Sequence, residues 1–263
     1  MKKNAAIISL VLITLSLTAF GLLNRENSEP IEIDTINYEY PIGEVIDNKD
    51  KPNIFFGIGS RFNGITKSDL NKLETFDDYI GQDHASRIIS YKSMSVILLD
   101  DTERTNERIP CQSGTFSSEQ KNFLNNLEYS TNFMIWADYV EKSEDNGVIQ
   151  DATWTPHLTI IPEKQAMYKD GDEALLDILK SKSYDLTTTL DQDGLQPAKM
   201  YFTISKDGKV IGTDLKRSSG YNELDELMKT LIMNLPSGWQ AAENNSGEKI
   251  EQTLVLSYGK LGC

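Results

Sequence analysis

The feature that most constrains this chain is a hairpin signature near its C-terminal end. Ala198, Met200, Phe202 and Ile204 alternate with Lys199, Tyr201, Thr203 and Ser205. That period of two puts the apolar side chains on one face of a strand. Asp207-Gly208 follows, and Val210 to Leu215 supplies the return strand. An Asp-Gly pair readily takes the positive φ angles of a two-residue type I′ turn. A lone hairpin is marginal in water, so the flanking segments must cover its apolar face. Upstream, Asp170-Gly171-Asp172 precedes an expected helix from about Glu173 to Ser181, with Ala174, Leu175, Ile178 and Leu179 on one stripe. Downstream, a helix from about Glu223 to Asn234 repeats Leu224, Leu227, Met228 and Leu231 at spacings of three and four, and Pro236 ends it. Trp239 then reads as a core plug, and Ile250 to Tyr258 alternates again as a last strand. The order helix, hairpin, helix, strand predicts an α+β unit over residues 162–263: a three-stranded antiparallel sheet with two helices on one side. Its expected core is Phe202, Ile204, Leu227, Leu231, Trp239, Leu254 and Leu256.

Residues 52–161 read mostly as strands. Ile54 to Ile58 is a short apolar run, and Arg87 to Leu99 ends in the continuous Val96-Ile97-Leu98-Leu99. Phe133 to Val140 and Thr153 to Ile161 are further strands, separated by the turn signal Asp145-Asn146-Gly147. Ser117 or Ser118 caps a short helix over Glu119 to Leu127. Turns at this spacing predict a β-sandwich.

The N-terminal end reads as an export segment. Lys2 and Lys3 precede an uncharged apolar run from Ala5 to Leu23. At helical rise such a run spans roughly 28 Å, close to the hydrocarbon thickness of a bilayer. It fits either a signal peptide, cleaved after the small-x-small pattern Ala19-Phe20-Gly21, or an anchor in the inner membrane through residues 5–23. Either way the remainder is periplasmic, anchored or released. Residues 24–51, with seven carboxylates from Glu26 to Asp47 and Pro30 and Pro41, read as an acidic tether.

Net charge narrows the function classes. The chain carries −14: −12 in residues 24–162, −4 in residues 163–263 and +2 from Lys2 and Lys3. A front half this acidic repels phosphate backbones, which excludes nucleic acid as a partner. Cys111 and Cys263 lie in different predicted units without a CxxC pattern and read as free thiols, with a disulfide between them chemically permitted beyond the export segment. His84 and His157, the only histidines, read as surface or packing residues. Asp100-Asp101 and Asp170-x-Asp172 are acidic turns without further ligands. No catalytic motif is present, so the chain reads as a non-enzyme with no cofactor and no metal.

Two family resemblances sit on these residues. Gly64 to Leu70, Ile89 to Val96, Phe116-Ser117-Ser118-Glu119-Gln120 and Asn125-Asn126-Leu127 ahead of the Phe133–Val140 strand resemble, in order and spacing, the C-terminal sandwich domains of the gliding-motility protein GldM of Bacteroidetes. The second is more specific. Tyr201 to Val210, then Lys216-Arg217-Ser218-Ser219-Gly220-Tyr221, Glu223-Leu224-Asp225, Leu235-Pro236-x-x-Trp239 and Asn245 to Gly247 resemble the TonB C-terminal domain of Bacteroidetes over about 100 residues. The family usually follows its Trp with Lys-Pro-Gly; here Gln240-Ala241-Ala242 stands instead. The apolar run also lacks the His that energy-transducing members carry, and the tether lacks their Pro-rich spacer. The TonB resemblance implies a protein partner in the cell envelope, an outer-membrane receptor in the family's usual case. It implies capture by β-strand addition at the edge of the last strand. The partner-binding residues it implies are Lys249, Glu251, Thr253, Val255 and Ser257. The alternative is a non-transducing envelope scaffold related to gliding-motility or type IX secretion components.

Overall fold

The computed structural model describes residues 54–236 and 238–261. The export segment, the acidic tether and Cys263 lie outside them. In chain order the elements are β1 (Phe55–Gly59), β2 (Asn63–Thr66), three one-turn helices α1 (Lys67–Leu70), α2 (Asp77–Ile80) and α3 (Gln82–Ala85), β3 (Ile88–Asp100), β4 (Glu103–Cys111), α4 (Ser118–Asn126), β5 (Asn132–Lys142), β6 (Ile149–Trp154) and β7 (His157–Ile161). Then come β8 (Met167–Tyr168), α5 (Asp172–Thr187), β9 (Pro197–Ile204), β10 (Val210–Arg217), α6 (Asn222–Met233), β11 (Trp239–Gln240), β12 (Ala242–Glu243), β13 (Lys249–Ile250) and β14 (Gln252–Gly259). The fold is mixed α+β. Among the described residues no helix is long and apolar enough to cross a membrane.

The strands from β2 to β7 lie in a single six-stranded sheet, in the order β2-β7-β5-β3-β4, with β6 also beside β5. They do not divide into two sheets of their own. The cause is the length of β3 and β5, which pair antiparallel from Ile88↔Glu141 to Leu99↔Asn132. Their centre is buried on both faces: Val96 and Ile135 on one, Ile97, Leu99 and Met134 on the other. Helix α4 is fixed by a capping box between Ser117 and Gln120. The buried Gln120 amide also donates to Ile109 O at 3.0 Å, tying the helix to β4.

The second sheet has four strands, not three, in the order β1-β14-β9-β10. The hairpin stands where the alternation put it, but its turn is wider. Only Gly208, at φ +73°, is left-handed; Asp207 is not. Gly208 N donates to Ser205 O and Ser205 N to Lys209 O, giving a three-residue loop with glycine at its left-handed position. The loop seats the next element, because Trp239 N donates to Gly208 O. The Trp239 ring packs against Tyr168 and Phe202 at 5.7 and 5.5 Å between centroids.

Helix α5 runs six residues past its expected end. Its later turns bury Ser183 and Thr187, whose hydroxyls donate back to Leu179 O (2.7 Å) and Tyr184 O (3.0 Å). Polar side chains satisfied within the helix are invisible to an apolar-stripe reading. Of the expected core, Phe202, Ile204, Trp239, Leu254 and Leu256 are buried together. Leu227 and Leu231 are only half-buried, because α6 turns Leu224, Met228 and Ile232 inward instead.

The fourth strand is β1, from the apolar run at Ile54 to Ile58. Ile54 and Phe56 are part of the same core as α5 and α6. The described residues therefore belong to one compact unit across the expected boundary at 161.

Candidate functional site

The expected site is the free side of the last strand. Backbone hydrogen bonding shows how that side is used. Strand β14 begins at Gln252, so Glu251 precedes it, while Lys249 pairs with Glu243 in the short β12–β13 ladder. On one side β14 pairs with β9 from Gln252↔Ile204 to Gly259↔Pro197. On the other, Val255 stands opposite Gly59 and Ser257 opposite Gly57, within a five-residue pairing with β1. Thr253 lies just beyond this pairing, and its N–H donates to Ser130 Oγ at 2.9 Å. The recruiting edge expected at Thr253, Val255 and Ser257 is thus closed by the chain itself. The physical reason is β1, whose apolar residues complete the core better than solvent would.

The opposite end of the sheet is β10, which pairs only with β9 among the described residues. The register shifts between Val210 and Gly212 and again between Leu215 and Arg217. Gly212 to Leu215 between them is regular. Ladder bonds alternate along an antiparallel pair. Because Thr253 N–H points away from β9, Thr203 turns its backbone groups toward β10, and so does Tyr201. Gly212 and Asp214 therefore bond β9, and the N–H and C=O groups of Thr213 and Leu215 face outward. Leu215 is 43% exposed and Ile211 54%.

Across the second sheet, the face away from α5 and α6 carries Lys199, Tyr201, Thr203, Thr253 and Val255. Tyr201 Oη donates to Asp101 Oδ1 at 2.6 Å, and Arg61 Nε donates to the same oxygen. Asp101 sits in the β3–β4 turn at φ +50°. Burial opposes its charge, but the bonds from Arg61 and Tyr201 hold its carboxyl below the usual range. Burial first, and then Asp101, pushes the Tyr201 phenol up. Burial, then the Arg61 guanidinium, pushes the Lys199 ammonium down to about 8; Arg217 adds to this and Asp101 opposes it. Lys199 and Arg217 are register partners on this face. Neither has an ion-pair or hydrogen-bond partner among the described residues. Sequence reasoning placed Lys199 and Tyr201 on the polar face, but nothing in the sequence brought Arg61 and Asp101 to them.

At the end of β10, Asp225 joins three elements. Its carboxylate, 3% exposed, accepts from Ser218 Oγ (2.6 Å), Ser219 N (3.0 Å) and Tyr258 Oη (2.7 Å). Burial and then Asp225 push the Tyr258 phenol up. The Ser218-Ser219-Gly220 and Glu223-Leu224-Asp225 motifs are therefore one structural clasp.

The remaining candidates serve packing. His84 stacks on Trp154 at 4.6 Å, with Nε2 3.1 Å from both Glu141 Oε2 and Tyr139 Oη. His157 packs on Phe62 at 5.1 Å. Cys111 is a half-exposed free thiol, lowered by its hydrogen bond with Ser113. Among the described residues no group of three His, Cys, Asp or Glu side chains is placed to hold a metal ion. Compared with family models, with curated proteins and with solved structures, the chain matches none.

Proposed function

We propose that the chain is an exported, non-enzymatic envelope protein whose TonB-like C-terminal sheet recruits an extended segment of a partner protein by β-strand addition, and that the recruiting edge is β10. The observation that carries this reading is the contrast in backbone accounting. The outer side of β14 is satisfied by β1 and Ser130, while Thr213 and Leu215 present main-chain groups without a partner among the described residues. Such an edge supplies affinity through main-chain bonds and selectivity through alternate side chains. Export rests on Lys2, Lys3 and the run from Ala5 to Leu23, and places the partner in the periplasm or outer membrane.

The test is photo-crosslinking in living cells, with the reactive side chain at Thr213 and, separately, at Thr253. The expected result is a single protein partner captured from Thr213 and none from Thr253, the capture being lost when Leu215→Pro removes an outward N–H. Capture from Thr253 alone overturns the choice of edge. Capture from neither position, in a folded and exported protein, overturns strand addition.

A scaffold reading is favoured by one observation. Strand β1 belongs by sequence to the GldM-like, sandwich-like segment 52–161 yet completes the TonB-like sheet. In that reading the C-terminal sheet is a stabilising fold, and binding falls to the acidic first segment. Partner capture unaffected by Leu215→Pro would favour it.

A further inference from the structure

Like charges placed directly opposite each other in a sheet repel and destabilise the pair. Arg217 and Lys199 are such a pair, on the outer two strands of the open edge. Arg61 is near enough to depress the Lys199 ammonium, and the one buried-side carboxylate, Asp101, is already taken by Arg61 and Tyr201. Asp214, in the next row, is engaged by Lys216 at 3.1 Å. In a chain of net charge −14, a row of cations left without a carboxylate is unexpected, since acidic side chains outnumber basic ones 40 to 26. Among the described residues, counter-charge is missing at the place where β10 presents its free edge. In an antiparallel sheet, residues opposite each other share a face. A residue opposite Arg217 on an added strand would stand in one row with Arg217 and Lys199. A residue opposite Leu215 would stand over the exposed apolar side chain on the other face.

We infer that β10 selects an acidic extended peptide, one that places a Glu or Asp carboxylate opposite Arg217 and Lys199 and an apolar side chain opposite Leu215. This inference rests on the strand-addition reading and adds the chemistry of the partner. The carboxylate supplies charge-assisted bonds to two cations that have no other partner among the described residues. The added strand runs along Gly212 to Arg217, across the register shift between Leu215 and Arg217, so specificity must come from few side chains. The acid opposite Arg217 is the strongest of them.

The experiment is fluorescence-anisotropy titration of the full-length chain in detergent. The probes are three labelled ten-residue peptides of alternating valine and threonine, carrying one central Glu, Gln or Lys. A fourth peptide is the Glu form with alternate backbone amides N-methylated. The Glu peptide is expected to bind about tenfold more tightly than the Gln peptide. Arg217→Glu should remove that preference and transfer it to the Lys peptide, with the circular dichroism spectrum unchanged. Lys199→Met should reduce the preference without reversing it. Equal binding of the Glu and Gln peptides, with binding of the Glu peptide lost on N-methylation, overturns the acidic selectivity and leaves strand addition standing. A Glu peptide that binds more tightly than the Gln peptide and keeps its affinity on N-methylation overturns strand addition and leaves an anion site on the sheet face. Failure of all four peptides to bind overturns both.

Discussion

The two outer strands of the C-terminal sheet are a controlled comparison within one molecule. Strand β1 is five residues of Phe, Gly and Ile, with Phe56 3% exposed and Ile54, just ahead of it, 8%. Strand β10 is eight residues, shifted in register twice, and its last four are all exposed. Each pairs with one neighbour among the described residues, so the ladder alone does not distinguish them. What differs is where their side chains go. One strand is held by burial and closes an edge; the other is held by its hairpin loop and leaves an edge open. A sheet edge is therefore read by asking which backbone groups are satisfied and what the strand contributes to the core.

The largest expected effect breaks that comparison on the buried side. Phe56→Ala should cost about 3–5 kcal/mol, from lost burial and the cavity left behind. Leu215→Ala on β10 should cost under about 0.5 kcal/mol, as an exposed change does. Urea unfolding of both variants measures the difference, and similar midpoints would mean that β1 is not part of the stable sheet. Next in size is the clasp. Asp225→Ala strips the acceptor from Tyr258 Oη, Ser219 N and Ser218 Oγ, and should cost about 2–3 kcal/mol. Asp225→Asn keeps an acceptor and should lose less. Two glycines sharpen the contrast further. A Cβ on Gly208 would collide with the Trp239 carbonyl oxygen at a positive φ, whereas a Cβ on Gly212 meets open space. Gly208→Ala should therefore destabilise by about 1–2 kcal/mol and Gly212→Ala by a few tenths, checked by thermal unfolding.

Much of this architecture was legible in the C-terminal sequence because its signals are local. Alternation fixed β9, the leucine spacing fixed α6, and Trp239 is buried as a plug. The partnership of β1 was not legible. Ile54 to Ile58 has no period that names a partner, and its mate lies about 200 residues away in β14. Proximity in the chain assigned it to the first segment; burial assigned it to the second sheet. The same limit applies to the site. Of the residues at the expected edge, Thr253, Val255 and Ser257 lie in the last strand, but whether a strand is an edge depends on a segment elsewhere in the chain. The cluster of Arg61, Asp101, Lys199 and Tyr201 joins three separate stretches, so no motif encodes it.

The smallest effect probes the charge left over at the open edge. Lys199 has Ser257 beside it on the β14 side and Arg217 on the β10 side, so neither neighbour offers a carboxylate. Its ammonium titrates near 8 in the folded chain, against an ordinary value of 10.5. Between those values the unfolded chain holds the proton and the folded chain has released it. Stability therefore rises with pH across that window, and the penalty of the charged form is fully present below it. Lys199 is only partly buried, so solvent screening reduces the penalty to about 1 kcal/mol. Above about pH 10 the raised phenols of Tyr201 and Tyr258 act in the opposite sense, because the unfolded chain then loses its tyrosine protons first. The informative range is therefore pH 7 to 9.5. Urea midpoints measured there should climb for the native chain and stay level for Lys199→Met, which should start about 1 kcal/mol more stable at pH 7. A native chain whose midpoint is flat over that range would mean that counter-charge already reaches Lys199, and that the β10 side of its row is as closed as the β14 side.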